Sequence, residues 1–318
     1  MCVTRRKNFL LIFVGLLLGL FVGPVPAACQ PDKLQVAASI LPLADFCREI
    51  GGDKVEVQVL IPPGASPHVF EPSPGMLANL ANAKVLVFVG AGLEPWLDKF
   101  MQAWQGKKPA VVEATHGIAL ITEIPGHAGE AVPPIKSQVQ EAGHRHEHGS
   151  GNPHIWLDPI LVQDICRRIA SAFIKTDPDN KATFEKNLEH YLDQLAQLDQ
   201  EISAATETFR LREFVGFHPS FSYFARRYHL KEVGIIEVAP GREPTPRALQ
   251  NIMRAIQRYG IKVIFSEPQF SPRMAEVLAK EAGVSVLQLD PIGGRPPYND
   301  NYIKMMQYNL AALAKAMR

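Results

Sequence analysis

The run from about Asn180 to Arg210 limits the fold more than any other stretch of this chain. Phe184, Leu188, Tyr191, Leu195, Leu198 and Ile202 recur there at helical spacing, behind the capping sequence Asp177-Pro178-Asp179. At about 1.5 Å per residue, roughly 30 helical residues extend about 45 Å, more than a small lobe needs. A coiled coil of about three heptads is the alternative. The segments on both sides, however, alternate between strand and helix patterns, which fits a spacer between two lobes better.

Before the long run, strands are expected over 33–39, 55–61 and 84–89, with helices over 41–50, 76–82 and 95–105. A further helix is expected from Pro159 to about Lys175. After it, the same alternation predicts strands over 213–217, 232–236, 263–266 and 284–289 and helices over 220–228, 245–259, 272–282 and 301–317. Such alternation implies parallel sheets covered on both faces. The expected fold is α/β: a lobe over 29–176, a linking helix over 177–210 and a second lobe over 211–318. Residues 116–153 lose all periodicity, carry Gly, Pro, Glu and Ala, and include His127, His144, His146 and His148. That stretch reads as a long mobile loop.

Residues 1–28 read as an export signal. Arg5, Arg6 and Lys7 precede an apolar run from Phe9 to Val22, too short to span a bilayer and suited to a signal-peptide core. Small residues then lead to Ala27-Ala28-Cys29, so cleavage after Ala27 or Ala28 is one outcome and lipidation of Cys29 the other. Pro26 stands where the lipoprotein pattern prefers Leu, which weighs against the lipid. The expected location is the periplasm or the outer face of a bacterial cytoplasmic membrane. Cys47 and Cys166 fall on apolar faces of expected helices and read as buried free thiols. With 20% charged residues and a net charge of +1, no broad field recommends nucleic acid or an anionic membrane as partner.

Four residues carry the chemistry. His68 lies just beyond the strand over 55–61, His218 ends the strand over 213–217, and Asp290 ends the strand over 284–289. His154 follows the expected mobile loop. Ligands of open α/β sheets bind outside the carboxyl ends of strands, and two of the four residues come from each lobe, so a four-ligand cluster in the cleft is expected. Taken singly, each has a plainer reading: a surface or capping histidine, or an aspartate opening a turn before Pro291. Spacing alone does not prove that they converge.

Three long segments add specificity: the run from Pro63 to Pro74, Asn152-Pro153-His154-Ile155-Trp156-Leu157-Asp158-Pro159, and Phe265-Ser266-Glu267-Pro268-Gln269-Phe270-Ser271-Pro272. With them the chain resembles the zinc/manganese solute-binding proteins of bacterial ABC transporters, over essentially its whole mature length. The resemblance implies two α/β lobes bridged by a rigid helix, with the metal between them. It implies His68, His154, His218 and Asp290 as ligands, and Glu267 beside them to orient an imidazole. Zinc-type members have a third histidine where manganese-type members commonly have Glu, and here that position is His218. Three imidazoles and one carboxylate also suit Zn²⁺ better than Mn²⁺, which favours more oxygen ligands.

The expected function is capture of Zn²⁺ outside the cytoplasm, as a monomer, and delivery to an ABC transporter permease. Contact with the membrane is expected only through that permease or a lipid on Cys29. The alternatives are a manganese- or iron-type carrier of the same family, an exported zinc hydrolase, or an adhesin with a structural metal. A hydrolase typically keeps one metal position open for water, whereas four protein ligands close the shell. His127, His144, His146 and His148 are expected to bind metal weakly, away from the transport site. Binding is expected to weaken below about pH 6, where imidazoles ordinarily protonate. The long helix is expected to restrict hinge opening.

Overall fold

The computed structural model describes residues 33–104, 108–123, 151–237 and 243–318. The expectations for the export signal, for Cys29 and for His127, His144, His146 and His148 lie outside the described residues.

The first lobe runs β1 (Leu34–Ala38), α1 (Leu41–Gly51), β2 (Val55–Val59), α2 (Pro74–Leu80), β3 (Val85–Phe88), α3 (Leu97–Ala103), β4 (Ala110–Glu113) and α4 (Pro159–Thr176). The linking helix α5 spans Lys181–Glu207, 27 residues and about 40 Å. The second lobe runs β5 (Glu213–Gly216), α6 (Ser222–Arg227), β6 (Lys231–Ile235), α7 (Pro246–Tyr259), β7 (Val263–Ser266), α8 (Arg273–Ala282), β8 (Ser285–Gln288) and α9 (Tyr302–Met317). Among the described residues the strands form two parallel four-stranded sheets, ordered β2-β1-β3-β4 and β6-β5-β7-β8. Both halves thus share one topology. In each, the order reverses between the first and third strands, the switch point outside which α/β sheets bind ligands.

The period of two along each strand decides which core a side chain enters. Val36 and Ala38 of β1 and Val85 and Val87 of β3 face the main apolar cluster, while Ala37 and Leu86 face a smaller one beneath α2 and α3. In the second sheet Phe214 and Phe265 face that same main cluster, while Val215 and Ile264 turn to a cluster under α7 and α8. The main cluster is therefore continuous through both lobes. It takes in Phe184, Tyr191, Leu195, Leu198 and Ile202 of α5 and Met305, Met306, Leu310, Leu313 and Met317 of α9. Buried Cys47 and Cys166 belong to it as free thiols, as expected.

Polar ties add to the apolar contact between lobes. Arg227 donates to both carboxylate oxygens of Asp199 at 2.6 and 2.7 Å and lies 3.6 Å from Asp158, the residue that caps α4. Asp45 of α1 accepts from the backbone N–H of Tyr302 at the start of α9. Gly294 takes a backbone φ of +86°, and a Cβ there would come within 2.7 Å of both Leu41 and Pro63 of the first lobe. These contacts, with α5 running behind both sheets, hold the lobes close.

Three expectations change. β4 pairs with β3 as an edge strand where no strand was expected. The helix expected over 220–228 opens with a 3-10 turn over Pro219–Phe221, since His218 is extended and Pro219 sets the first helical φ. Gly151, Asn152 and Pro153, expected within the mobile loop, are buried, and Asn152 N–H donates to the Ile121 carbonyl at 2.7 Å.

Candidate metal centre

His68, His154 and His218 meet in the cleft, their ligand atoms all within 4.8 Å of one another. His154 Nε2 lies 3.2 Å from His68 Nε2 and 3.0 Å from His218 Nε2. Nitrogens bound tetrahedrally to one ion at about 2.0–2.1 Å would stand about 3.3 Å apart. The spacing already approximates that of a bound ion. The opposite ring nitrogens set the tautomers. His154 Nδ1 is 2.7 Å from Asn152 Oδ1, whose partner amide nitrogen donates to the Pro219 carbonyl and so fixes which end is the acceptor. His218 Nδ1 is 2.6 Å from Glu267 Oε1. Both Nδ1 atoms therefore donate, and in a neutral ring the Nε2 atom turns a bare lone pair inward. Two such lone pairs 3.0 Å apart repel unless a cation lies between them.

Local folding places each ring. His68 sits on the Pro-rich connection after β2 and is half-buried, while His154 and His218 are 3% and 4% exposed. Tyr223 of α6 reaches across to hold the connection before His154: its hydroxyl donates to the Asn152 carbonyl and accepts from Ile121 N–H. Trp156 packs against the His154 ring and donates its indole N–H to the Pro291 carbonyl of the other lobe at 2.6 Å. Phe270 stacks on Phe217 and leans against His218, closing that side to water. Glu267 Oε1 also accepts from His218 N–H and Ser220 Oγ, so it anchors the whole turn after β5.

Burial pushes the His68 imidazole down to about 3, with His218 adding to the effect. Burial likewise holds His154 well below its ordinary value, with smaller contributions from His218 and His68. Both rings are thus neutral, as metal ligation requires, to well below pH 6. Loss of binding near pH 6, as expected from ordinary imidazoles, does not originate in these two.

Asp290 is not part of the three-histidine group. It is fully buried, and its carboxylate is already engaged by four donors. Oδ1 accepts from Ile292 N–H, Gly293 N–H and Gln269 Nε2, and Oδ2 accepts from the Tyr298 hydroxyl. Asn309 clasps its backbone on both sides. In this arrangement Asp290 organises the loop after β8. Sequence reasoning did not single out Asn152, Gln269 or Tyr298. Asn152 and Gln269 stand inside the quoted motifs, and that was the available signal.

Two α/β lobes clasping three convergent imidazoles define a metal-binding protein of the two-lobed solute-binding class. The family described as zinc-uptake complex component A, periplasmic (ZnuA), matches residues 36–316, and the chain belongs to that family. It is 31% identical over 309 residues to the zinc-binding lipoprotein AdcA of Streptococcus pneumoniae strain R6, covering 94% of this chain but only 60% of AdcA. It is 30% identical over 295 residues to the high-affinity zinc uptake system protein ZnuA of Bacillus subtilis strain 168, covering 92% of this chain and 90% of that protein. A crystal structure of a ZnuA superposes with a TM-score of 0.78 at 31% identity, covering 90% of this chain and all of the other.

Proposed function

We propose that this protein captures Zn²⁺ outside the cytoplasm with His68, His154 and His218 and passes it to the membrane permease of an ABC transporter. The observation that carries the reading is the pair of converging Nε2 atoms of His154 and His218, 3.0 Å apart and each ring backed by an acceptor on its other nitrogen. An all-nitrogen set of this kind suits Zn²⁺ and not the oxygen-rich shell of Mn²⁺. The ZnuA family match supports export and a permease as partner. No helix among the described residues is long and apolar enough to cross a membrane.

Among the described residues, Asp290 Oδ2 accepts only from the Tyr298 hydroxyl and so keeps a lone pair for the ion in this reading, while the three histidines carry the first grip. The role is that of a carrier, not a hydrolase. The residues behind the imidazoles are spent on orienting them, and the two lobes approach closely around the cavity. Release proceeds by small shifts of the connections that bear the ligands, because the shared core resists wide hinge opening. The test is metal analysis of the purified mature protein beside a His218→Ala variant. The reading expects about one tightly held zinc in the native chain and its loss in the variant; unchanged zinc would refute the site.

A further inference from the structure

The net charge of +1 conceals an uneven distribution. From Thr245 to Lys262 the chain holds Arg247, Arg254, Arg258 and Lys262 and no acidic residue. Most of that stretch is α7, whose inner side chains Ile252 and Ile256 are buried in the cluster it shares with α8. Beyond Pro246, the exposed side chains of α7 are Arg247, Gln250, Asn251, Arg254, Gln257 and Arg258, all of them basic or amide. Steps of seven and four residues put the three arginines within about 40° of one line along the helix, over about 16 Å. Arg254 donates to Asn251 Oδ1 and Arg258 lies 5.4 Å from the Tyr259 ring centroid; none of the three forms an ion pair among the described residues. The neighbouring α8 is balanced, with Arg273 and Lys280 exposed beside Glu276 and Glu281. The compensating acids lie elsewhere, as on α5, where Glu185, Glu189, Asp193 and Glu201 are exposed. A guanidinium is a planar fork that pairs two-pronged with phosphate, and amide N–H groups add donors for its oxygens. Protein partners are held mainly by apolar or aromatic anchors seated in pockets, and the exposed face of α7 offers none.

We propose that α7 is a docking surface for an anionic phospholipid bilayer, and that Arg247, Arg254 and Arg258 hold the second lobe against the headgroup phosphates. The contact is peripheral and electrostatic, because the apolar side of α7 is committed to the core and cannot enter the bilayer. It is a contact with the membrane beyond those through a permease or a lipid on Cys29. It is also separate from metal capture, since no residue of α7 lines the cavity of the three histidines. Each arginine close to an anionic surface strengthens binding about fivefold, so the three together are worth roughly 100-fold. A carrier held this loosely meets its permease by diffusing along the membrane rather than through the surrounding volume.

The experiment is co-sedimentation of the purified mature protein, free of any attached lipid, with two kinds of vesicle: phosphatidylcholine alone, and equal parts phosphatidylcholine and phosphatidylglycerol. The protein should bind the anionic vesicles and ignore the neutral ones. Salt at about 1 M, where the screening length falls to about 3 Å, should release it. The triple variant Arg247→Gln, Arg254→Gln, Arg258→Gln should bind roughly 100-fold more weakly. Replacing the same three residues by Lys keeps the charge and should retain most of the binding, which separates docking from any effect on folding. A second triple variant, Lys186→Gln, Lys304→Gln, Lys315→Gln, removes equal charge from the exposed faces of α5 and α9 and should bind almost as the native protein does. Equal binding to both vesicles, binding to neither, or an equal loss in the two Gln triples would overturn the proposal. So would an Arg→Gln triple that binds vesicles normally yet fails to deliver zinc to proteoliposomes containing the permease, since that would assign the face to a protein contact. All the variants should hold zinc as the native chain does, so failure of the docking proposal leaves the three-histidine reading standing.

Discussion

His218 Nδ1 and Glu267 Oε1 stand 2.6 Å apart, with their side chains only 5% and 2% exposed. A carboxylate so placed fixes the imidazole tautomer and raises the electron density at the opposite nitrogen. Glu267→Gln keeps an acceptor and loses the charge, so zinc affinity should fall about 10-fold. Glu267→Ala strands the three donors that converge on Oε1, so its loss should approach about 100-fold. Chelator competition measures both, and a ranking of Gln below Ala would contradict the tautomer argument.

Asn152 does for His154 what Glu267 does for His218, but without charge. Asn152→Ala removes the acceptor for both His154 N–H and His154 Nδ1. The ring is then free to flip, and zinc affinity should drop about 10-fold, while the stranded His154 N–H and Pro219 carbonyl should also lower the melting of the metal-free protein. Asn152→Asp restores the acceptor and should bind zinc at least as tightly as the native chain. Calorimetric titration of the three proteins decides the point.

Arg227 joins α5, α6 and the cap of α4 through one guanidinium. Paired to Asp199 at two points and only partly exposed, it should contribute more than an ordinary surface ion pair. Arg227→Ala should destabilise the metal-free chain by about 1–3 kcal/mol in urea titrations. Zinc affinity in the folded variant should stay within a few-fold of native, because no metal contact is touched.

Glu232 supplies a test by pH. Burial pushes its carboxyl from 4.5 up to about 8; the Ser222 hydroxyl opposes that shift and Glu267 adds to it. Between those values the folded protein holds a proton that the unfolded chain has released. Stability from this group is thus full below about pH 4.5 and is lost as pH rises towards 8, at about 1.4 kcal/mol per pKa unit at most. Glu232→Gln keeps an acceptor for Ser222 and should flatten that decline. Thermal melts of the metal-free proteins from pH 4.5 to 8 should diverge steadily, with the variant the more stable at the alkaline end; parallel curves would rule the shift out.

The long helix, the two α/β halves and the three histidines were legible because each leaves a local mark: a sustained period, a strand followed by a loop, a His flanked by Pro. β4 left no such mark. Its four residues, Ala-Val-Val-Glu, are too few to show alternation, and their pairing with β3 is set by chain that is distant in sequence. Asp290 shows a different limit. An Asp before Pro291 gives no sign in the sequence that its carboxylate collects the Ile292, Gly293 and Tyr298 donors, which only the fold brings to it. Asn152 and Gln269 act through partners in the opposite lobe or on a neighbouring strand end, which no spacing rule encodes.

The apolar cluster that passes unbroken from one sheet to the other has a thermodynamic consequence. Phe214 and Phe265 of the second sheet cannot lose their packing without disturbing α5, α9 and the inner face of the first. The two lobes should accordingly melt in a single cooperative transition rather than in sequence. An ion gripped in the cleft then raises the melting temperature of the entire chain, and the free energy of capture is read out far from the three nitrogens that make it.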